Sequence, residues 1–200
     1  RLISRFALDK DSDPQHYGIG LKELWEVAPE KHEQGVVMHG LGWPLTETGS
    51  TGGWWLYFDE NNQVSFGLVA DLSYHNPYMS PFDEMQRLKT HPVIKNVLEG
   101  GKRLSYGARA LTKGGLNSLP KFTFPGGVLV GDDAGFLNPA KIKGTHTSMK
   151  SGMLAAEAIF EALQAGREYD DVVAYSTMYK ESWLYQDNYE ARNFAPAMHR

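Results

Sequence analysis

The sequence contains no cysteine. That absence excludes a disulfide framework, a thiolate nucleophile and a cysteine-ligated zinc or iron–sulfur centre built from these residues. Positive charge is also scarce: 20 Lys and Arg stand against 24 Asp and Glu, for a net charge of −4. With no basic run, the balance argues against a nucleic-acid partner. Long apolar runs are missing too. The longest stretch free of Asp, Glu, Lys and Arg runs from Gln34 to Thr46, too short to cross a bilayer as a helix. The chain opens at Arg1, and nothing after it resembles a signal peptide. The expectation is a soluble protein, or at most one at a membrane surface. Seven histidines without H-x-x-x-H spacing offer no metal site. No G-x-S-x-G motif supports serine hydrolysis.

What is present is the composition of a folded protein, 42% hydrophobic and 22% charged. Two hundred residues suffice for one large or two small domains. Glycine is abundant at 21, with 10 proline and 12% aromatics, which points to tight turns and close backbone approaches.

The first half reads as strands and turns. Ile19 to Val27 and Gln34 to His39 are candidate strands. Gly53 to Asp59 and Gln63 to Asp71 form the clearest pair, since Glu60-Asn61-Asn62 between them is hairpin chemistry. Phe82 to Leu88 and Val93 to Leu98 read as short helices, separated by Pro92 and stopped at Gly100-Gly101. Arg103 to Leu111 alternates like another strand, and Gly127 to Gly131 has the pattern of a buried one. Thr145 to Ala165 is the strongest helix, with Met149, Gly152, Met153, Ala156, Ile159, Phe160 and Leu163 on one stripe and Gly166 placed to end it. A second helical region carries Val172, Tyr175, Tyr179 and Trp183 and runs from near Asp171 to about Phe194. The order fits a mixed α+β or α/β chain.

The segment Gly131 to Thr147 concentrates chemistry. It leaves a strand end and enters a helix, the place where open α/β sheets collect ligands. Gly131, Gly135 and Gly144 let backbone approach a ligand, and the helix start presents free N–H groups beside Lys143 and His146. Such a start stabilises a phosphate or the anion on a reduced flavin. Asp132 at the strand end is placed to accept bonds from sugar-alcohol hydroxyls. The alternative is that these glycines only make turns and the threonines only cap. Glu23/Glu26, Asp132/Asp133 and Asp170/Asp171 are acid pairs read as solvated faces, turns or caps, and Arg103 and Arg109 as surface or structural ion-pair partners.

GDDAGFLNPAKIKGTHTSMKSGMLAAEAIF, beginning at Gly131, resembles the C-terminal flavin motif of the electron transfer flavoprotein–ubiquinone oxidoreductases. YGIGLKELWEV at Tyr17, GWPL at Gly42, TGGWWLYF at Thr51, NPYMSPFDEMQRLKTHP at Asn76, LEGGKRLSYGARAL at Leu98 and LPKFTFPGG at Leu119 resemble the same family in the same order. The resemblance spans essentially Tyr17 to Phe194.

It implies a flavoprotein that takes electrons from reduced electron transfer flavoprotein and delivers them to ubiquinone, using FAD and one 4Fe–4S cluster. The G-x-G-x-x-G that binds the ADP half of FAD is absent, because Glu23 stands where Gly18 and Gly20 would need a third glycine. The cluster's cysteines are absent as well. The chain is therefore read as an internal fragment. The implied fold is an antiparallel-sheet quinone domain with two short helices over residues 1–112. Over 113–200 it is joined to the returning strand–helix part of a p-hydroxybenzoate-hydroxylase-like FAD domain, with C-terminal helices. The family's paired quinone-contacting glycines match Gly52 and Gly53. Trp54, Trp55, Tyr57 and Phe58, with Pro77, Tyr78, Met79, Pro81 and Phe82, are candidates to wall a flat ring or rest at a lipid interface; the alternative is a turn and a sheet core. Flavin contacts map to Gly131, Asp132, Gly135, Lys143, Gly144, Thr145 and His146, the role of Asp132 being inferred from other flavoproteins with G-D-x-A-G. No catalytic acid–base residue is expected. Peripheral attachment to a bacterial or mitochondrial inner membrane follows from the same resemblance. Two alternatives are a geranylgeranyl-reductase-like flavoprotein and a binding module inactive on its own.

Overall fold

The computed structural model describes residues 1–198. In chain order its elements are α1 Leu2–Phe6, β1 Tyr17–Glu26, β2 Val37–Leu41, β3 Gly52–Phe58, β4 Gln63–Asp71, α2 Pro81–Leu88, α3 Pro92–Leu98 and β5 Lys102–Thr112. There follow β6 Thr123–Phe124, β7 Gly127–Val128, α4 Gly131–Ala134, α5 Thr145–Gln164, α6 Ala174–Glu181, α7 Trp183–Glu190 and α8 Phe194–Met198. The architecture is α+β. It resolves into two compact units, Tyr17–Leu111 and the remainder, in which Arg1–His16 folds with the residues from Thr112 onward. The expected unit of residues 1–112 thus loses its first sixteen residues. Backbone bonds from Lys113 to His16 and from Asp13 to Asn117 tie the opening residues to the second half instead.

The unit Tyr17–Leu111 is a five-stranded sheet in the order β2-β3-β4-β1-β5. The hairpin between β3 and β4 forms where Asn61 and Asn62 take φ of 57° and 55°, left-handed values that asparagine tolerates. Period-2 alternation then sends Leu56, Phe58, Val64, Phe66, Leu68 and Ala70 to one face. There they pack against Met85 and Leu88 of α2 and Ile94, Val97 and Leu98 of α3. Pro81 opens α2 behind a Ser80 cap that accepts the Asp83 N–H, and Pro92 opens α3. The second candidate strand lies slightly later than expected, at Val37–Leu41 rather than from Gln34. In β5 the expected alternation does not bury one face, because residues 102–110 of this edge strand are exposed throughout.

The other unit is mainly helical, and its core joins Phe122, Phe136, Tyr175, Tyr179 and Leu184 to one face of α5. Three expectations are corrected here. The strand expected over 127–131 shrinks to Gly127–Val128, paired with β6, and Gly131–Ala134 turns into a helix. The helical region from Asp171 to Phe194 breaks at Ser182, whose φ and ψ of −90° and 160° are extended, so α6, α7 and α8 are separate. The buried stripe of α5 is Thr147, Ser151, Leu154, Ala155, Ala158 and Ala162. Met149, Met153, Phe160 and Leu163 are exposed. Close approach to α6 selects small residues, so the bulkier stripe faces outward.

Candidate functional site

Gly52 and Gly53 open β3, and the alternation of the strand turns them to opposite faces of the sheet. A Cβ at Gly52, whose φ is 153°, would stand 2.1 Å from the Val69 carbonyl oxygen. Gly53 pairs with Leu41 on one side and Val69 on the other. It is flanked in the sheet plane on both sides. A Cβ there would come within 2.9 Å of Leu41 Cδ2 and 2.8 Å of the Gly40 carbonyl oxygen.

The proposed aromatic wall is divided by the same alternation. Phe58 and Met79 are core residues. Trp54 lies flat across Gly40, where a Cβ would fall 2.1 Å from the indole, and Trp55 covers Gly67 in the same way from the opposite face. Tyr57 shares that opposite face, its Oη 3.0 Å from His39 Nε2. Tyr78, at 94% exposure, and Phe82 project into solvent, as residues resting at an interface would.

The 131–147 segment lies entirely in the other unit. Gly131, with φ 66°, donates its N–H to Ser151 Oγ at 2.9 Å and so fixes the start of α4 to α5. Gly135 ends α4 and faces Gln15 and Leu119, which a Cβ would meet at 3.1 and 3.3 Å. Gly144 immediately precedes α5. The first in-helix bond runs from Ser148 N–H to the Gly144 carbonyl at 2.8 Å, leaving the N–H groups of Thr145, His146 and Thr147 without an in-helix acceptor. Buried Thr147 turns its hydroxyl back to the same carbonyl at 2.8 Å. A Cβ at Gly144 would stand 2.6 Å from Asp132 Oδ1, so Asp132 and the helix start adjoin. Lys143 bridges to Asn138 through the backbone.

These residues suit FAD in one respect that the structure itself shows: a cradle between Asp132 and the α5 start, kept open by the missing Cβ of Gly144. They do not suit an iron–sulfur cluster. There is no cysteine, and among the described residues no group of three or more His, Asp or Glu could hold a metal.

Sequence reasoning missed the support behind this loop. Buried Asn138 accepts the N–H groups of Ala140 and Lys141 at 3.1 Å, an Asx turn, and donates to Asp187 Oδ2 at 2.8 Å. Lys141 also pairs with Asp187. His146 Nε2 lies 3.5 Å from Asp187 Oδ2, and its ring stacks on Trp183 at 6.0 Å and 6°. Burial by itself would raise the Asp187 carboxyl. Hydrogen bonds from Lys141 and Asn138, the charge of Lys141 and the His146 contact hold it below its ordinary 3.8. Asn-Pro at 138–139 was a turn signal available in the sequence; nothing local marked Asp187.

Comparison with known proteins follows the same division. A family profile described as "ETF-QO, ubiquinone-binding" matches residues 17–111, the bounds of the sheet unit. The whole chain is 61% identical to a probable electron transfer flavoprotein-ubiquinone oxidoreductase of Acinetobacter baylyi, covering 38% of that protein. It is 50% identical to the mitochondrial electron transfer flavoprotein-ubiquinone oxidoreductase of Bos taurus, again over 100% of the chain and 33% of the relative. Among solved structures, a geranylgeranyl bacteriochlorophyll reductase-like protein of Thermoplasma acidophilum superposes with TM-score 0.67 at 20% identity, covering 90% of this chain and 44% of the other. A flavin-dependent brominase gives TM-score 0.63 at 18% identity, over 92% and 45%. The latter two show a shared fold only. Over its whole length this chain is similar to electron transfer flavoprotein–ubiquinone oxidoreductases, of which it spans little more than a third in the Acinetobacter relative, and residues 17–111 match the ubiquinone-binding domain of that family.

Proposed function

We propose that this chain supplies the ubiquinone-binding unit and the returning part of the FAD-binding domain of a flavoprotein that passes electrons from reduced electron transfer flavoprotein to ubiquinone. The observation that carries the reading is the coincidence of the ubiquinone-binding match with the folded unit Tyr17–Leu111. Gly52 and Gly53 would contact quinone through their backbone N–H groups. FAD, when bound, would accept and release the electrons. Gly131, Asp132, Gly135, Lys143, Gly144, Thr145 and His146 would hold it, the N–H groups at the α5 start opposing its negative charge. A 4Fe–4S cluster, if the full protein carries one, would take its ligands from outside these residues.

Attachment to an inner-membrane surface is part of the same proposal. No helix among the described residues is long and apolar enough to cross a membrane, and exposed Tyr78 and Phe82 suit an interfacial position. Lacking the G-x-G-x-x-G that holds the ADP half of FAD, these 200 residues alone should bind FAD weakly or not at all.

The test is Gly53→Leu in a full-length flavoprotein carrying this chain. Quinone reduction should fall by about tenfold or more, the equivalent of ~1.4 kcal/mol in transition-state binding, while reduction of the flavin by electron transfer flavoprotein is unchanged. Loss of both activities would sink the assignment of Gly53.

A further inference from the structure

We propose that Asp187 is a positioning residue for the flavin-binding loop. It acts from α7 to hold His146 and the Asn138–Lys143 turn against the start of α5. The inference rests on the FAD reading of residues 131–147. One carboxylate, with 12% of its side chain exposed, meets three groups at once. Asn138 donates to it at 2.8 Å, Lys141 pairs with its other oxygen, and His146 Nε2 approaches to 3.5 Å while its ring lies parallel to Trp183. Asn138 is 1% exposed, and its own carbonyl oxygen organises the 138–141 turn. The imidazole is thus fixed on two sides, by stacking and by the carboxylate, within one residue of Thr145. Donors locked before ligand arrives are ordered at no further cost on binding, so they contribute more than mobile ones.

An anion so close to a site for a negatively charged ligand is unfavourable by charge alone. It is explicable if its work is to position cations and donors. That conflict of sign makes the experiment decisive. In the full-length flavoprotein, charge alone predicts that Asp187→Asn tightens FAD and raises its midpoint potential, and that Asp187→Glu, which keeps the charge and shifts the carboxylate by one methylene, changes neither.

Positioning predicts the opposite for both: FAD dissociation constants up by about tenfold, as for loss of a charge-assisted hydrogen bond, and midpoint potentials shifted downward. Fluorescence titration of apoprotein gives the first readout, and spectroelectrochemistry of holoprotein gives the second. Tighter binding, a higher potential, or no change in either variant overturns the proposal. Gly144→Val separates it from the underlying reading. If that variant abolishes FAD binding while both Asp187 variants bind normally, only the role of Asp187 fails. If Gly144→Val also binds FAD normally, the FAD reading of the loop fails.

Discussion

Glu23 is 3% exposed on a strand, yet it carries a carboxylate. Its register opposite Phe66 places it on the core face of β1. There Trp25 Nε1 donates at 2.8 Å, Lys89 Nζ at 3.0 Å and Arg103 Nη1 at 3.3 Å. The acid pair Glu23/Glu26 looked like a solvated face in the sequence; the structure buries its first member because successive strand residues point to opposite sides. Arg103, read as a structural ion-pair partner, is one. Removing the carboxylate leaves Lys89, 18% exposed at its side chain, facing apolar neighbours without a counter-charge. Glu23→Ala should therefore lower stability by about 2 kcal/mol, the range for a buried charge-assisted hydrogen bond. Urea denaturation of the chain checks this, and an unchanged midpoint would mean that the cluster contributes nothing net, as surface pairs often do.

At the scale of elements, α5 shows how a correct helix can carry an incorrect face. The stripe Met149, Met153, Phe160 and Leu163 satisfies helical periodicity, but the bond network and core run along Ser151, Ala155, Ala158 and Ala162. Periodicity reports where apolar residues recur; it does not report which recurrence a neighbouring helix can approach. Ala158 has no exposed surface, so Ala158→Met should overpack the contact and cost about 1–3 kcal/mol. Met153→Lys should change the stability of this chain by no more than about 0.5 kcal/mol, and by clearly more in the full-length protein if the stripe is covered there. Thermal unfolding of both forms measures the difference.

In α6, burial pushes the Tyr179 hydroxyl up to about 12 from 10.0, against the hydrogen bond from Asn188, and burial raises Tyr175 as well. A folded value above the unfolded one means that stability is full below pH 10 and declines as pH rises toward about 12. Tyr179→Phe should flatten that alkaline decline in denaturant midpoints. An identical pH profile would show that Tyr179 ionises freely in the folded protein.

Across the whole chain, each unit closes its own core: fourteen residues from Val27 to Leu98 in one, and Phe122 to Leu184 in the other. Residues 17–111 expressed alone should accordingly unfold in a single cooperative transition in urea. A broad, non-cooperative loss of signal would show that the sheet needs the remaining residues.

Much of this was legible in advance. The β3–β4 hairpin announced itself in Asn61-Asn62, the helices α2 and α3 in their apolar spacing on either side of Pro92, and the candidate loop-to-helix segment in its glycines and flanking donors. These are local effects, settled by backbone sterics and capping within a few residues. The similarity to the oxidoreductases was legible in the ordered motifs. The tertiary structure decided what depends on distant partners: that Glu23 faces inward, that the small stripe of α5 is the buried one, and that Asp187 meets Lys141 across 46 residues of sequence. Side-chain period is a property of one segment, whereas the face it buries is set by whatever the rest of the chain packs against it.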